Sequence, residues 1–179
     1  MPVSFRHARC GQALIESCLI MGLVCLLLMG IFQLAQLFVA REIIDFSAGR
    51  GARARTVGFN EFMVLKTLRI ASIPNAGAMI FPGYRSGGPL EQYIHAEMPR
   101  IPHYLQAEAR QLGSILDYSN WSSIGLRSRF HSDDIIRFEA YQEMPILFFP
   151  NLFKAFYADS AVPLNGTADI EAHYPLYLE

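Results

Sequence analysis

The sequence predicts an α+β chain: a long N-terminal transmembrane helix, followed by a small domain with one helix packed on an antiparallel sheet. Three observations predict it. Apolar residues dominate Ser17 to Ala40, with only Gln33 and Gln36 as strongly polar members past Ser17. Helical spacing continues beyond that run as far as Ser72. Two alternating runs, around Ile124–Phe130 and Ile136–Tyr141, flank the polar stretch His131-Ser132-Asp133-Asp134. The expected organisation is a basic leader over 1–11, a transmembrane helix over 12–40, a helical extension over 41–72, and a small α+β extracytoplasmic domain over 73–179.

Composition narrows the class. Hydrophobic residues make up 52% of the 179, and charged residues only 17%, below the usual quarter. The net charge of −1 gives no reason to expect nucleic acid as a partner. The 3 cysteines, Cys10, Cys18 and Cys25, all fall in the leader or the apolar run. The C-terminal domain therefore has no disulfide framework and no cysteine-based zinc site.

The apolar run sets the first element. Crossing about 30 Å of hydrocarbon takes about 20 helical residues, and Ser17 to Ala40 is long enough. Leucine, methionine, isoleucine and alanine dominate it and proline is absent, so a helix is the natural conformation. Two other readings compete. A cleaved secretory signal needs a small-residue site after its core, and Phe38 is too large for the position two before Ala40. A buried helix would need covering on every side, because Cys18 to Phe32 has no polar face. Orientation is less directly written. Arg6, His7 and Arg9 precede the span, while Arg41, Arg50, Arg53 and Arg55 follow it. A raw count of positive charge favours the following side as cytoplasmic, but long domains translocate largely regardless of charge.

Between leader and span stands Gly11-Gln12-Ala13-Leu14-Ile15-Glu16. This resembles the prepilin peptidase site of type IV pilins and pseudopilins, in which cleavage follows a glycine and a glutamate is fifth in the mature chain. The resemblance implies processing between Gly11 and Gln12, with Glu16 as that glutamate. The segment looks most like the TadE/TadF-type pseudopilins (minor pilins) of the tight-adherence (Tad/Flp) type IV pilus family. Major Flp pilins usually carry tyrosine after the glutamate. Ser17 stands there instead, which favours a minor, TadE-like member. The resemblance further implies a non-enzymatic role in pilus assembly, in adhesion or secretion. The expected location is the bacterial inner membrane, single pass, with the C-terminal domain periplasmic and the chain able to enter an extracellular pilus. The implied partners are other pilin subunits, a prepilin peptidase, an inner-membrane assembly platform and the lipid bilayer, with no nucleic acid. A charge at the bilayer centre costs about 2.5–3.5 kcal/mol and less at its edge. Glu16 at the edge therefore either reaches headgroup water or pairs with a neighbouring subunit's cation, in pilins the new amine, here of Gln12. Such pairing would fix axial register between subunits.

Past the span, Gly49-Arg50-Gly51-Ala52-Arg53-Ala54-Arg55 resembles the small-residue and arginine stretch that follows the helix in TadE-like proteins. Each glycine costs a helix about 1 kcal/mol, so a break is expected there. Phe62, Leu65 and Leu68 keep helical spacing until Pro74 ends it. Residues 73–90, rich in proline and glycine, read as a loop. Leu90 to Asp117 reads as helix interrupted by Pro99 and Pro102, with Leu105, Ala109, Leu112 and Leu116 as its stripe. The two alternating runs form an antiparallel hairpin with one apolar face. Met144 to Pro150 resembles the last strand of TadE-like domains and reads as core or subunit contact. The tail after Phe156, with Pro163, Asn165-Gly166 and Pro175, carries no clear element.

Motifs for other chemistry are weak. His95-Ala96-Glu97 matches the start of a zinc-deaminase signature without its cysteines. His95, His103 and Glu108 have no recognised metal spacing. No Walker A, G-x-S-x-G or dinucleotide fingerprint occurs. No cofactor or metal is expected. Two alternatives remain at this level: an uncleaved membrane-anchored periplasmic domain, and a tethered enzyme whose polar cluster only folding would assemble.

Overall fold

The computed structural model describes residues 6–83, 90–131, 135–148, 150, 154 and 161–171. In chain order it contains helix α1 (Arg6–Thr56), helix α2 (Glu61–Ala71), a 3-10 turn (Ile73–Asn75) and strand β1 (Met79–Phe81). Helices α3 (Leu90–Glu97), α4 (Arg100–Gln106) and α5 (Leu112–Ile115) follow, then strands β2 (Asp117–Tyr118), β3 (Ile124–His131), β4 (Ile135–Pro145) and β5 (Ala161–Glu171). Strands β1 and β2 pair with each other, and β3-β4-β5 form a second antiparallel sheet in that order. The fold is α+β, as expected. The chain divides into two compact units, Met1–Phe38 with Ile146–Ser160, and Val39–Pro145 with Ala161–Glu179.

Helix α1 runs for 51 residues without interruption. The break expected at Gly49 and Gly51 does not occur. It falls instead at Val57–Asn60, where Gly58 adopts φ 94° and Asn60 restarts the chain. The Asn60 side chain accepts the Met63 N–H at 2.9 Å and so caps α2. Packing explains why the earlier glycines stay helical. Gly51 is buried, and a β-carbon there would lie 2.6 Å from the Phe138 ring. Its lack of a side chain makes room for β4, and that burial outweighs a helix-propensity cost of about 1 kcal/mol.

In the second unit the face of α1 that meets the sheet is small and periodic. Ala40, Ile44, Ala48 and Ala52 recur every four residues, and all are buried. The sheet answers with alternate residues. Leu126 opposes Ala140 and Ile124 opposes Gln142 across β3–β4, while Phe138, Ala140 and Gln142 oppose Ala168, Gly166 and Leu164 across β4–β5. Phe138, Ala140, Gln142 and Ile124 are all buried. Gly166 is required: a β-carbon on it would meet the Ile44 backbone and side chain at 2.7 Å. The antiparallel hairpin read from the sequence is thus present, with Ser128 opposite Phe138. The turn residues 132–134, including Asp133 and Asp134, lie outside the described residues.

The tail expectation is corrected. Strand β5 occupies 11 of those residues and pairs along its whole length with β4. Asn165-Gly166 reads locally as a turn, but the long-range pairing with Ala140 and Tyr141 overrides it. The Met144–Pro150 expectation is corrected too. Pro145 ends β4, and the last strand among the described residues is β5. The far edge of β5 is closed at two points. Pro163 has no N–H to offer, and the Thr167 N–H donates to Asp45 Oδ1 at 3.2 Å.

Other elements complete the core. The stretch 73–83, expected as loop, contains the 3-10 turn and β1. Asn75 Nδ2 donates to the Ala40 carbonyl at 2.8 Å, and Gln142 Nε2 donates to the Asn75 carbonyl at 3.0 Å. These bonds tie β4 through the turn to the first buried residue of α1's sheet-facing stripe. The predicted stripe Leu105–Leu116 is not one helix, because Ala107 leaves α4 in an extended conformation. Lys66 explains the stop. Its Nζ donates to the Leu105 and Ala107 carbonyls at 2.7 and 2.6 Å, taking acceptors that a further turn would use. The ammonium also lies 4.6 Å from the Phe62 ring centroid, and its burial lowers its pKa. Leu116 still reaches the core, with Val64, Leu68 and a cluster of Tyr104, Tyr118 and Trp121 whose rings lie 5.2 and 4.7 Å apart. Each such large apolar side chain contributes about 1.5–3 kcal/mol on burial.

The Tyr118 hydroxyl donates to Glu97 Oε1, which joins β2 to α3. Burial, reinforced by the Glu97 carboxylate, raises the Tyr118 pKa above its ordinary 10.0. The fold holds the neutral phenol, so this contribution is complete below pH 10 and fades as the unfolded chain's phenol ionises first. Stability measured through Trp121, the single tryptophan, should fall above pH 10. Tyr118→Phe should reduce that slope by about 1.4 kcal/mol per pH unit. In the same assay Gly166→Ala should cost about 1–3 kcal/mol through overpacking against Ile44. Gly49→Ala, with nothing near its added carbon, should gain up to about 1 kcal/mol.

Candidate functional site

Gly11, Gln12 and Glu16 all lie on α1, which begins at Arg6. The peptide bond between Gly11 and Gln12 is therefore helical, one and a half turns into the element. From Gln12 to Phe32 every side chain is exposed, including Leu14, Ile15, Leu19, Ile20 and Leu23. This is a bare apolar surface on all sides, with no polar stripe to place in water. Glu16 is the sole charged residue between Arg9 and Arg41. Ser17 beside it returns its hydroxyl to the Ala13 carbonyl at 2.8 Å, so its polarity is satisfied within the helix. Glu16 is exposed.

Spacing matters here. Gln12 and Glu16 stand four residues apart, so they share one helix face about 6 Å apart. A chain beginning at Gln12 would carry its amine on the same face as the carboxylate. That arrangement offers one cation and one anion, a turn apart, on an otherwise apolar rod. It can pair with complementary charge on a neighbour.

One functional residue escaped the sequence reading. Gln33 is only 7% exposed although the helix around it is bare. Its Oε1 accepts the N–H groups of Leu147 and Phe148 at 3.2 and 3.1 Å, within the first compact unit. Gln33 is one of two amides in the apolar run, and its partner lies 114 residues away in sequence.

The other chemical candidates stay apart or take structural work. His95 lies on α3 and His103 on α4, while Glu97 is engaged by Tyr118. Among the described residues, no three His, Cys, Asp or Glu side chains come together in a metal-holding group.

Comparison with known proteins bears on the N-terminal third. No curated protein and no solved structure matches the chain. A family model described as TadE-like protein matches residues 11–53, from the glycine ahead of the apolar run through the arginines beyond it. The same residues form a helix long and apolar enough to cross a membrane. Over that segment the chain is similar to TadE-like proteins.

Proposed function

We propose that this chain is a membrane-anchored minor pilin or pseudopilin that takes part, without enzymatic activity, in assembly of a Tad/Flp-type pilus. A prepilin peptidase cuts between Gly11 and Gln12, α1 anchors the product in the inner membrane, and the α+β domain stands on the periplasmic side. Glu16 then pairs with the amine of a neighbouring subunit and sets its axial register. The observation that carries this reading is the lone exposed carboxylate five residues past Gly11, at the head of a bare apolar helix. An unpaired charge among packed apolar helices is expensive, so subunits that leave it unpaired are disfavoured. The match to the TadE-like model over 11–53 supports the same reading.

The helical setting of the Gly11–Gln12 bond has a consequence for processing. A peptidase must reach a carbonyl that the helix holds in a hydrogen bond, so the first turns must unwind locally. Glycine at 11 lowers that cost by about 1 kcal/mol relative to alanine. A second reading, an anchored domain that is never cut, draws on the same helical start at Arg6.

Mass measurement and N-terminal sequencing of membrane-extracted protein from a host with the peptidase separate the two. The mature chain should begin at Gln12, and a chain that retains its leader would support the uncut anchor instead. Gly11→Leu should leave the precursor intact. Glu16→Ala should be processed normally but lose at least tenfold in pilus incorporation; undiminished incorporation would remove the register role.

A further inference from the structure

The chain between β4 and β5 carries an observation that pilus assembly does not absorb. Ile146, Leu147 and Phe148 follow β4 without forming a strand, and they belong to the same compact unit as α1 up to Phe38. Their anchor is Gln33, whose Oε1 receives two consecutive backbone N–H groups. Measured from Ser17 at 1.5 Å per residue, Gln33 lies about 24 Å along α1, roughly 6 Å short of the far side of a 30 Å hydrocarbon layer. Irregular backbone at that depth persists only where protein groups satisfy it. Gln33 does this for both amides, and it does so from within an apolar helix where an idle amide would be costly.

The side chains fit the same setting. Leu147 is 63% exposed although it is apolar, and Ile146 is buried. The sequence onward is rich in aromatic residues, with Phe149, Phe153, Phe156 and Tyr157, and it places Lys154 among them. Lys154 is exposed. Aromatic rings and lysine are the residues that settle at a membrane–water boundary.

We propose that the segment opening at Ile146 is a second membrane contact, a lipid-facing mooring at the outer boundary of the bilayer held to α1 by Gln33. This rests on the reading that α1 spans the membrane. The occupant is lipid because the anchoring amide lies within the apolar run and Leu147 continues its exposed apolar surface. Leu147 and Phe148 enter the acyl–headgroup boundary, and Lys154 reaches outward to lipid phosphate.

The test uses the full chain with Cys10, Cys18 and Cys25 changed to serine, reconstituted in vesicles of phosphatidylethanolamine and phosphatidylglycerol. An environment-sensitive fluorophore is placed in turn by Leu147→Cys, Leu27→Cys and Glu143→Cys. Spin-labelled lipid should quench the probe at 147 several-fold more than at 143, approaching the level at 27, while aqueous iodide should quench mainly at 143. A probe at 147 as open to iodide as that at 143, with 27 still quenched by lipid, would overturn the mooring alone. Protection from both quenchers would mean a second copy covers the segment, which also overturns it. Loss of lipid quenching at 27 would instead bring down the membrane reading itself. Adding Gln33→Leu should reduce lipid quenching at 147 several-fold, and an unchanged value would remove Gln33 from the account.

Discussion

Everything in the second unit depends on how closely α1 can approach the three-stranded sheet. Two glycines on opposite partners set that distance, Gly51 under the Phe138 ring and Gly166 over Ile44. Alanines at 40, 48 and 52 keep the rest of the helix face flat. A flat face buries little area per residue, so it must be long and close-fitting to contribute enough. That requirement accounts for a helix that continues well past any membrane thickness before it stops at Thr56. The same alanine and glycine positions that look like poor helix design are the ones the sheet needs.

Around this contact the polar groups act as fasteners. The Asn75 side chain holds the Ala40 carbonyl and its backbone carbonyl receives Gln142, so one buried residue couples helix, turn and strand. Lys66 terminates α4 by taking its last carbonyls. Removing Asn75 or Lys66 would leave their buried partners unsatisfied, at a cost of about 1–3 kcal/mol each.

The sequence makes the local features legible and hides the distant ones. The apolar run, the Gly11–Glu16 motif and the alternating hairpin are each encoded within a few turns, and all were readable. The break in the helix was misplaced because glycine was weighed by propensity alone, whereas Gly51 is held by Phe138, 87 positions on. Strand β5 was missed for a related reason. Its inward positions, Leu164, Gly166 and Ala168, carry a single large apolar side chain and so announce no core face, and Asn165-Gly166 imitates a turn. The stop of α4 came from Lys66, a residue on another helix. In the candidate site, Glu16 stood out as an isolated charge, while Gln33 did not, since its meaning lies in a partner far along the chain.

The partly blocked outer edge of β5 bears on how copies of this domain can meet. A sheet whose outer strand offers its amides freely invites a neighbour to add a strand and continue the ladder. Here a proline removes one donor and Asp45 claims another. A second copy adding a strand along this margin would therefore meet a missing donor at Pro163 and a claimed one at Thr167, and its ladder would break at both.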